Sequence, residues 1–210
     1  MATVTETWFT SKHDDSCLSI TNYNLHRRDR VGRKGDGVCA YLRSDIKYEV
    51  LKYGNHRDSI EILWLKCYFN CQVYCVACCY HPPNPRYEPR LFVDELINGI
   101  EQFTGATDTN SLDESIVLAR DFNTLDCDML ETQCGLVQIV NQPNHGANTI
   151  DKVFTNRIDC FSTLVVKSLL KKTKHLSVLV SSDPTRKQIK SKRVKVGLFD
   201  LRAHNIDYLR

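Results

Sequence analysis

The stretch Ser115-Ile116-Val117-Leu118-Ala119-Arg120-Asp121-Phe122-Asn123 decides the fold. Ser115 to Ala119 carries no charge and is too short for a helix. It reads as a strand covered on both faces. In an extended segment residues i and i+2 point the same way, so Asp121 and Asn123 project together at the strand end while Phe122 packs inward. Upstream, Glu88 to Phe103 sets Phe92, Leu96, Ile100 and Phe103 on one stripe, with Pro89 at its start and Gly105 beyond, which predicts a helix. Before it, Glu61 to Leu65 runs through Phe69-Asn70-Cys71-Gln72 into Val73 to Tyr80, a long hairpin ending at His81-Pro82-Pro83. Gly37 to Arg43 follows a turn signal and reads as a further strand. Downstream, Asp126 to Cys134 with Gly135 after it predicts a short capped helix, and Thr149–Thr155 and His175–Val180 two more strands. Strands with few helices and short links make this an α+β sandwich.

Composition agrees with a globular chain. Of 210 residues, 42% are hydrophobic and 25% charged, which excludes collagen-like and wholly disordered classes. The net charge of +3 is unevenly spread: residues 1–160 hold 16 Lys and Arg against 22 Asp and Glu, whereas residues 161–210 hold 12 against 3. A basic end on an acidic body predicts an anionic partner there. Ser181-Ser182-Asp183-Pro184 marks a boundary, so residues 1–180 read as one domain and 181–210 as a basic linker that includes Lys192 and Arg193. A second basic cluster, Arg27, Arg28, Arg30, Arg33 and Lys34, reads as a glycine-bearing loop able to meet nucleic acid phosphates. The first twenty residues have no secretory pattern and no run reaches membrane-spanning length, so the expected location is intracellular, with no membrane partner. The ten cysteines then read as reduced thiols.

Several residues have types suited to phosphate chemistry. Asp121 beside Asn123 can position a water, although both also start turns. Asp151 in an apolar strand and His175 at the head of another supply a carboxylate and an imidazole. A carboxylate fixes the tautomer of such a histidine and makes it a general acid or phosphate-binding group. Glu6 and Tyr80 are unremarkable by themselves.

Taken in order, Thr5-Glu6-Thr7-Trp8, Tyr80-His81-Pro82-Pro83, Asp121-Phe122-Asn123, Thr149-Ile150-Asp151-Lys152-Val153-Phe154-Thr155-Asn156 and Lys174-His175-Leu176-Ser177-Val178 resemble the endonuclease/exonuclease/phosphatase superfamily. They are most similar to the apurinic-type endonuclease domain of non-LTR (LINE-type) retrotransposons. The likeness runs from about Thr3 to Val180, and Arg193 to Ile206 is similar to the segment joining that domain to a reverse transcriptase. It implies a DNase I-like four-layer fold, Mg²⁺ or Mn²⁺ as cofactor, DNA as substrate, a nuclear setting and a reverse transcriptase domain in an intact parent element. Glu6 would hold the metal. Asp121 would orient or deprotonate the attacking water, with Asn123 holding that water or the phosphate. Tyr80 would touch the scissile phosphate, and Asp151 would orient His175, which stabilises charge on the phosphoryl oxygens.

Three departures accompany the likeness. Only five residues precede Glu6, so the fold is expected without its first strand and with an exposed edge. Arg120 stands where the pattern has glycine, and Lys174 where it has aspartate, which places an ammonium near the metal. Other readings are a nucleic-acid-binding remnant without chemistry, a phosphatase or sphingomyelinase of the same superfamily, and a zinc module at Cys67, Cys71, Cys75, Cys78 and Cys79. The last lacks a second matched ligand pair.

The basic end generates a prediction. Removing residues 181–210 should flatten the salt dependence of DNA binding, because each lost phosphate contact lowers the slope of log K on log salt by about 0.9. An unchanged slope in a filter-binding titration would make the tail a solvated linker only.

Overall fold

The computed structural model describes residues 1–32, 35–52, 59–69, 72–104, 114–168 and 173–182. Its centre is a six-stranded sheet in the order β4-β5-β6-β7-β9-β8. The strands are β4 (Lys47–Leu51), β5 (Glu61–Phe69), β6 (Gln72–Tyr80), β7 (Glu114–Asp121), β8 (Val137–Gln138) and β9 (Asp151–Thr155). β5 and β6 form the expected antiparallel hairpin, Glu61 opposite Tyr80 at one end and Phe69 opposite Gln72 at the other. β6 and β7 run parallel, and a parallel pair needs a long crossover; it contains helix α1 (Pro89–Thr104). The SIVLA run is buried inside β7 from Ser115 to Ala119 except for its half-buried last residue, as its lack of charge implies.

Two cores sandwich this sheet. On one side α1 and α2 (Asp128–Cys134) bury Phe92, Val93, Leu96, Ile100 and Leu130 against Ile62, Trp64, Ile116, Leu118 and Phe122. Gly135 ends α2 at φ 61°, a left-handed cap that glycine adopts without strain. On the other side lie two smaller sheets: β1 (Ala2–Thr5), β3 (Val38–Arg43) and β2 (Tyr23–Arg28) in the order β1-β3-β2, and β10 (Phe161–Val166) with β11 (Ser177–Ser182). Val38, Ala40 and Leu42 of β3 meet Leu65, Cys78 and Val153 there, with Val165 and Val178 at the margin. The alternate residues Cys39 and Tyr41 face outward and are covered by Phe9 and Leu18, the latter in a 3₁₀ turn at Asp15–Leu18. Helices, sheet, split sheet and this covering segment make four layers. Among the described residues β1 has a neighbour on one edge only, β3, and β11 only β10.

The structure corrects several expectations. Arg27 and Arg28 lie on strand β2, not in a loop. β9 begins at Asp151 and not at Thr149, and β11 begins at Ser177, leaving His175 in the preceding segment. β11 ends at Ser182, paired with Phe161, and not at Val180. Cys75 and Cys79 sit in the helix-side core while Cys67 and Cys78 sit in the other, so the sheet divides the proposed zinc ligands; Cys71 is outside the described residues. Burial pushes the Cys75 and Cys78 thiols up to about 12. No described helix is long and apolar enough to cross a membrane.

Helix α1 approaches the sheet most closely at Gly99. A Cβ there would lie 2.4 Å from Cζ2 and 2.7 Å from Cε2 of the Trp64 indole. Alanine normally improves a helix by up to ~1 kcal/mol over glycine. Here overpacking against a rigid ring should win, and Gly99→Ala should destabilise the fold by about 1–3 kcal/mol in a denaturant titration. Equal or greater stability would mean that α1 can move off the sheet at little cost.

Candidate active site

Register across the large sheet builds the site. Glu61 pairs with Tyr80, Tyr80 with Asp121, and Asp121 with Asp151. Cross-strand partners project to the same face, so one phenol and three carboxylates stand in a row over β5, β6, β7 and β9. All four are buried, none more than 3% exposed. Each therefore needs a partner or a proton.

Glu61 accepts from the guanidinium of Arg30 and from the Gly37 amide at 3.0 Å. Arg30 also pairs with Asp36. The Tyr80 hydroxyl lies 3.0 Å from a Glu6 oxygen and 3.1 Å from an Asp36 oxygen, two acceptors around a single phenolic proton. Burial, and next the Glu6 charge, raise the Tyr80 hydroxyl well above its ordinary range, so it stays protonated and donates. Glu6 follows β1, and the backbone there is tied to the Asp36 turn by Thr7 N–H to the Gly37 carbonyl at 3.3 Å and Trp8 N–H to Asp36 at 2.8 Å.

At the other end, Asp151 Oδ2 meets His175 Nδ1 at 2.8 Å. That bond is the main cause raising the His175 imidazole above its usual value. Nδ1 is thereby engaged and Nε2 is the nitrogen left for a ligand. Asn144, fully buried, holds both partners by their backbones. Its side chain accepts the Ile150 and Asp151 amides at 3.0 Å each and donates to the Asp151 carbonyl at 2.6 Å, while its own carbonyl takes the Leu176 amide at 2.7 Å. These bonds explain why neither strand extends as far as the sequence implied.

Asp121 lies between the two ends and accepts the Asn123 amide at 3.0 Å. Burial first, and then the Asp151 charge, push its carboxyl up to about 7. Four residues without glycine's freedom adopt left-handed backbone in or beside the row: Glu6 at φ 54°, Asp36 at 61°, Arg120 at 116° and Asn123 at 47°. Strain of this kind costs on the order of 1–3 kcal/mol per residue and persists only where surroundings enforce it.

Of the residues expected from the sequence, Tyr80, Asp121 and Asp151 belong to this row, and Glu6 and His175 bond to it. Asn123 is beside it, but its amide nitrogen is committed to the His81 carbonyl at 2.8 Å, leaving only its oxygen for a water or a phosphate. Arg30 is not part of an exposed basic patch: its side chain is 5% exposed and neutralised by Glu61 and Asp36. Arg27 is held by Asp15 at 3.0 Å and lies over the Phe9 ring, and Arg28 is half-buried on β2. Arg33, Lys34, Lys192 and Arg193 lie outside the described residues. Sequence reasoning missed Glu61, Asp36, Asn144 and His145, whose ring centroid lies 4.8 Å from that of His175. The only local signal for the last two was the turn pattern Pro143-Asn144-His145-Gly146 before a strand.

Among the described residues no three His, Cys, Asp or Glu side chains converge as a metal cage. Glu6 is exposed and presents a hard carboxylate oxygen at the cleft. That donor set fits Mg²⁺ or Mn²⁺ held by one carboxylate and otherwise by water, and does not fit an all-protein site.

Asp121 has a consequence for stability. Its folded value is raised above the unfolded one near 4, so its contribution is fully present below about pH 4 and is lost as pH rises through about 7. Asp121→Asn keeps the acceptor for the Asn123 amide and removes the ionisation. It should raise the melting temperature by about 5–10 °C at pH 8 and by far less at pH 5. Equal gains at both pH values would show that Asp121 is not buried as an acid.

No known family model matches the sequence, and no curated protein matches it. Solved structures do. The endonuclease domain of TRAS1, a telomere-specific non-LTR retrotransposon, superposes with a TM-score of 0.55 at 12% identity, over 78% of this chain and 81% of that one. Truncated TDP2 of Caenorhabditis elegans gives 0.56 at 9% identity, over 86% and 82%. The human Nocturnin catalytic domain gives 0.54 at 12%, over 77% and 72%. The chain therefore has a DNase I-like α/β sandwich fold.

Proposed function

We propose that this chain is a divalent-metal-dependent DNA endonuclease that hydrolyses a phosphodiester bond, as in the target-site nicking of retrotransposition. The observation that carries the reading is the Asp151–His175 pair at 2.8 Å beside a buried Asp121 whose proton leaves near pH 7. The likeness of fold to a retrotransposon endonuclease domain supports the same reading.

The roles follow from the geometry. Ionised Asp121 takes the proton of an attacking water, which Asn123 Oδ1 helps to hold. Asp151 fixes the His175 tautomer, so protonated Nε2 faces the phosphoryl oxygens and stabilises their charge. Tyr80, still protonated, directs its one proton to Glu6 or Asp36 and so holds the Glu6 carboxylate beside the phosphate region. When bound on Glu6, Mg²⁺ or Mn²⁺ supplies further positive charge to those oxygens. On this reading the substrate is DNA, the setting is nuclear, and in an intact parent element a reverse transcriptase domain follows the basic linker.

Activity should be bell-shaped in pH. The rising limb comes from ionisation of Asp121 near 7, and the falling limb from loss of the His175 proton, which is held above its ordinary value. A second reading, binding without cleavage, is favoured by Lys174, an exposed ammonium adjacent to His175. A plasmid-nicking assay separates the two. Nicking should need Mg²⁺ or Mn²⁺, stop with chelator, and fall at least ~100-fold in Asp121→Asn and in His175→Gln. Lys174→Asp should raise it about tenfold. A folded protein that binds DNA but never nicks it, even as Lys174→Asp, would leave the binding reading.

A further inference from the structure

Arg120 is the residue in the site that local rules explain least. Along β7 the even positions Ile116, Leu118 and, just beyond, Phe122 face the helix-side core, while Val117 packs on the opposite side with Ala119 against that core. Alternation therefore assigns Arg120 to the helices. Its φ of 116° breaks the alternation, and its guanidinium lies on the other side of the sheet. There Nη2 donates to the Thr3 carbonyl on β1, and Nη1 is 3.9 Å from Asp151 Oδ1. The side chain is only 22% exposed. A conformation costly for any residue with a Cβ is thus held where a single fork touches both sheets.

The two contacts have different consequences. Among the described residues β1 is an edge strand of the small sheet, paired with β3 alone, and Glu6 is the residue immediately after it. Asp151 is the carboxylate that orients His175. We propose that Arg120 is the positioning residue of this cleft: by gripping Thr3 and Asp151 together it fixes β1, and Glu6 at its end, against the Asp151–His175 pair. Guanidinium suits the task because its rigid plane lets one Nη bond the Thr3 carbonyl while the other stays in ion-pair range of Asp151 at 3.9 Å, whereas an ammonium is a single point charge. Lysine here would keep the charge and lose the span.

The inference rests on the hydrolytic reading only in its kinetic part, so one experiment can separate them. The groups facing His175 are Asp151 on β9, Asp121 on β7, Glu6 after β1, and His145 beside it, with Lys174 next in the chain. The His175 ring is followed by NMR through a pH titration in the whole chain and in its Arg120→Gln and Arg120→Lys variants, and nicking is measured on the same samples. Removing a cation that shares Asp151 should move the His175 midpoint up by about half a pH unit or more in Arg120→Gln. Arg120→Lys should move it in the same direction by less, and should lower kcat several-fold with KM unchanged. An unchanged His175 midpoint in either variant that is folded overturns the proposal and leaves Arg120 as a structural plug on β1. If the midpoints move as expected while no variant and no parent protein nicks DNA, the positioning role stands and the hydrolytic reading fails.

Discussion

The row Glu61, Tyr80, Asp121 and Asp151 imposes the constraint from which the rest of the site follows. Strand register puts four acidic or phenolic groups abreast between two sheets, and a low-dielectric interior does not tolerate unpaired charge. Three are supplied with partners: Glu61 has Arg30, Tyr80 has Glu6 and Asp36, and Asp151 has His175 and Arg120. Asp121 has no cation in direct contact among the described ion pairs, and it answers by keeping its proton to near neutrality. A carboxyl in that condition changes charge near neutral pH, as the base of the proposed reaction would need to. Its protonation is thus defined by what surrounds its neighbours.

The partners also explain where the backbone is strained. Asp36, which meets Arg30 and Tyr80, and Glu6, which meets Tyr80, both adopt positive φ angles outside the strands. Gly37, at φ 92°, carries the amide that Glu61 accepts, and a Cβ there would meet the Thr7 hydroxyl at 2.8 Å. Conformational cost falls next to the row at Glu6, Asp36 and Asn123, and within a strand that forms it only at Arg120 of β7. The strands are rigid because their opposite faces bury Phe92, Leu96 and Phe122 on one side and Leu42, Leu65 and Val153 on the other. The four members of the row are thus fixed on packed strands, while Arg30, Asp36, Glu6 and His175 reach them from segments outside the strands.

Local pattern was enough for the elements whose signal is periodic or capped. The stripe from Phe92 to Phe103 became α1, Gly135 capped α2, and the uncharged SIVLA run became the central part of β7. β1, β2, β4, β8 and β10 carry no such signal, since their burial comes from sheets made of distant strands. Register is the reason the site was only partly legible. Asp121 and Asp151 were visible as acids at strand ends, but Glu61 reads locally as the first residue of a hairpin arm. Nothing near it in sequence reveals that it will stand beside Tyr80 and bury its charge against Arg30, thirty-one residues away. The same non-locality misplaced Arg30: a run of arginines counts as a surface patch only until one of them is required inside.

Arg30 and Arg120 show what charge composition means in this fold. Both would raise a count of basic residues available to DNA, yet both are spent neutralising the row, Arg30 on Glu61 and Asp36 and Arg120 on Asp151. The charge that remains for an anionic partner must come from elsewhere, and the balance of residues 161–210, 12 basic against 3 acidic, is where the sequence holds it. Internal cations bear on the protonation of the acids, whereas on the proposed function outlying cations would govern affinity for phosphate and its dependence on salt. Because the two sets occupy different parts of the chain, substitutions in one should change the pH profile and substitutions in the other the salt profile.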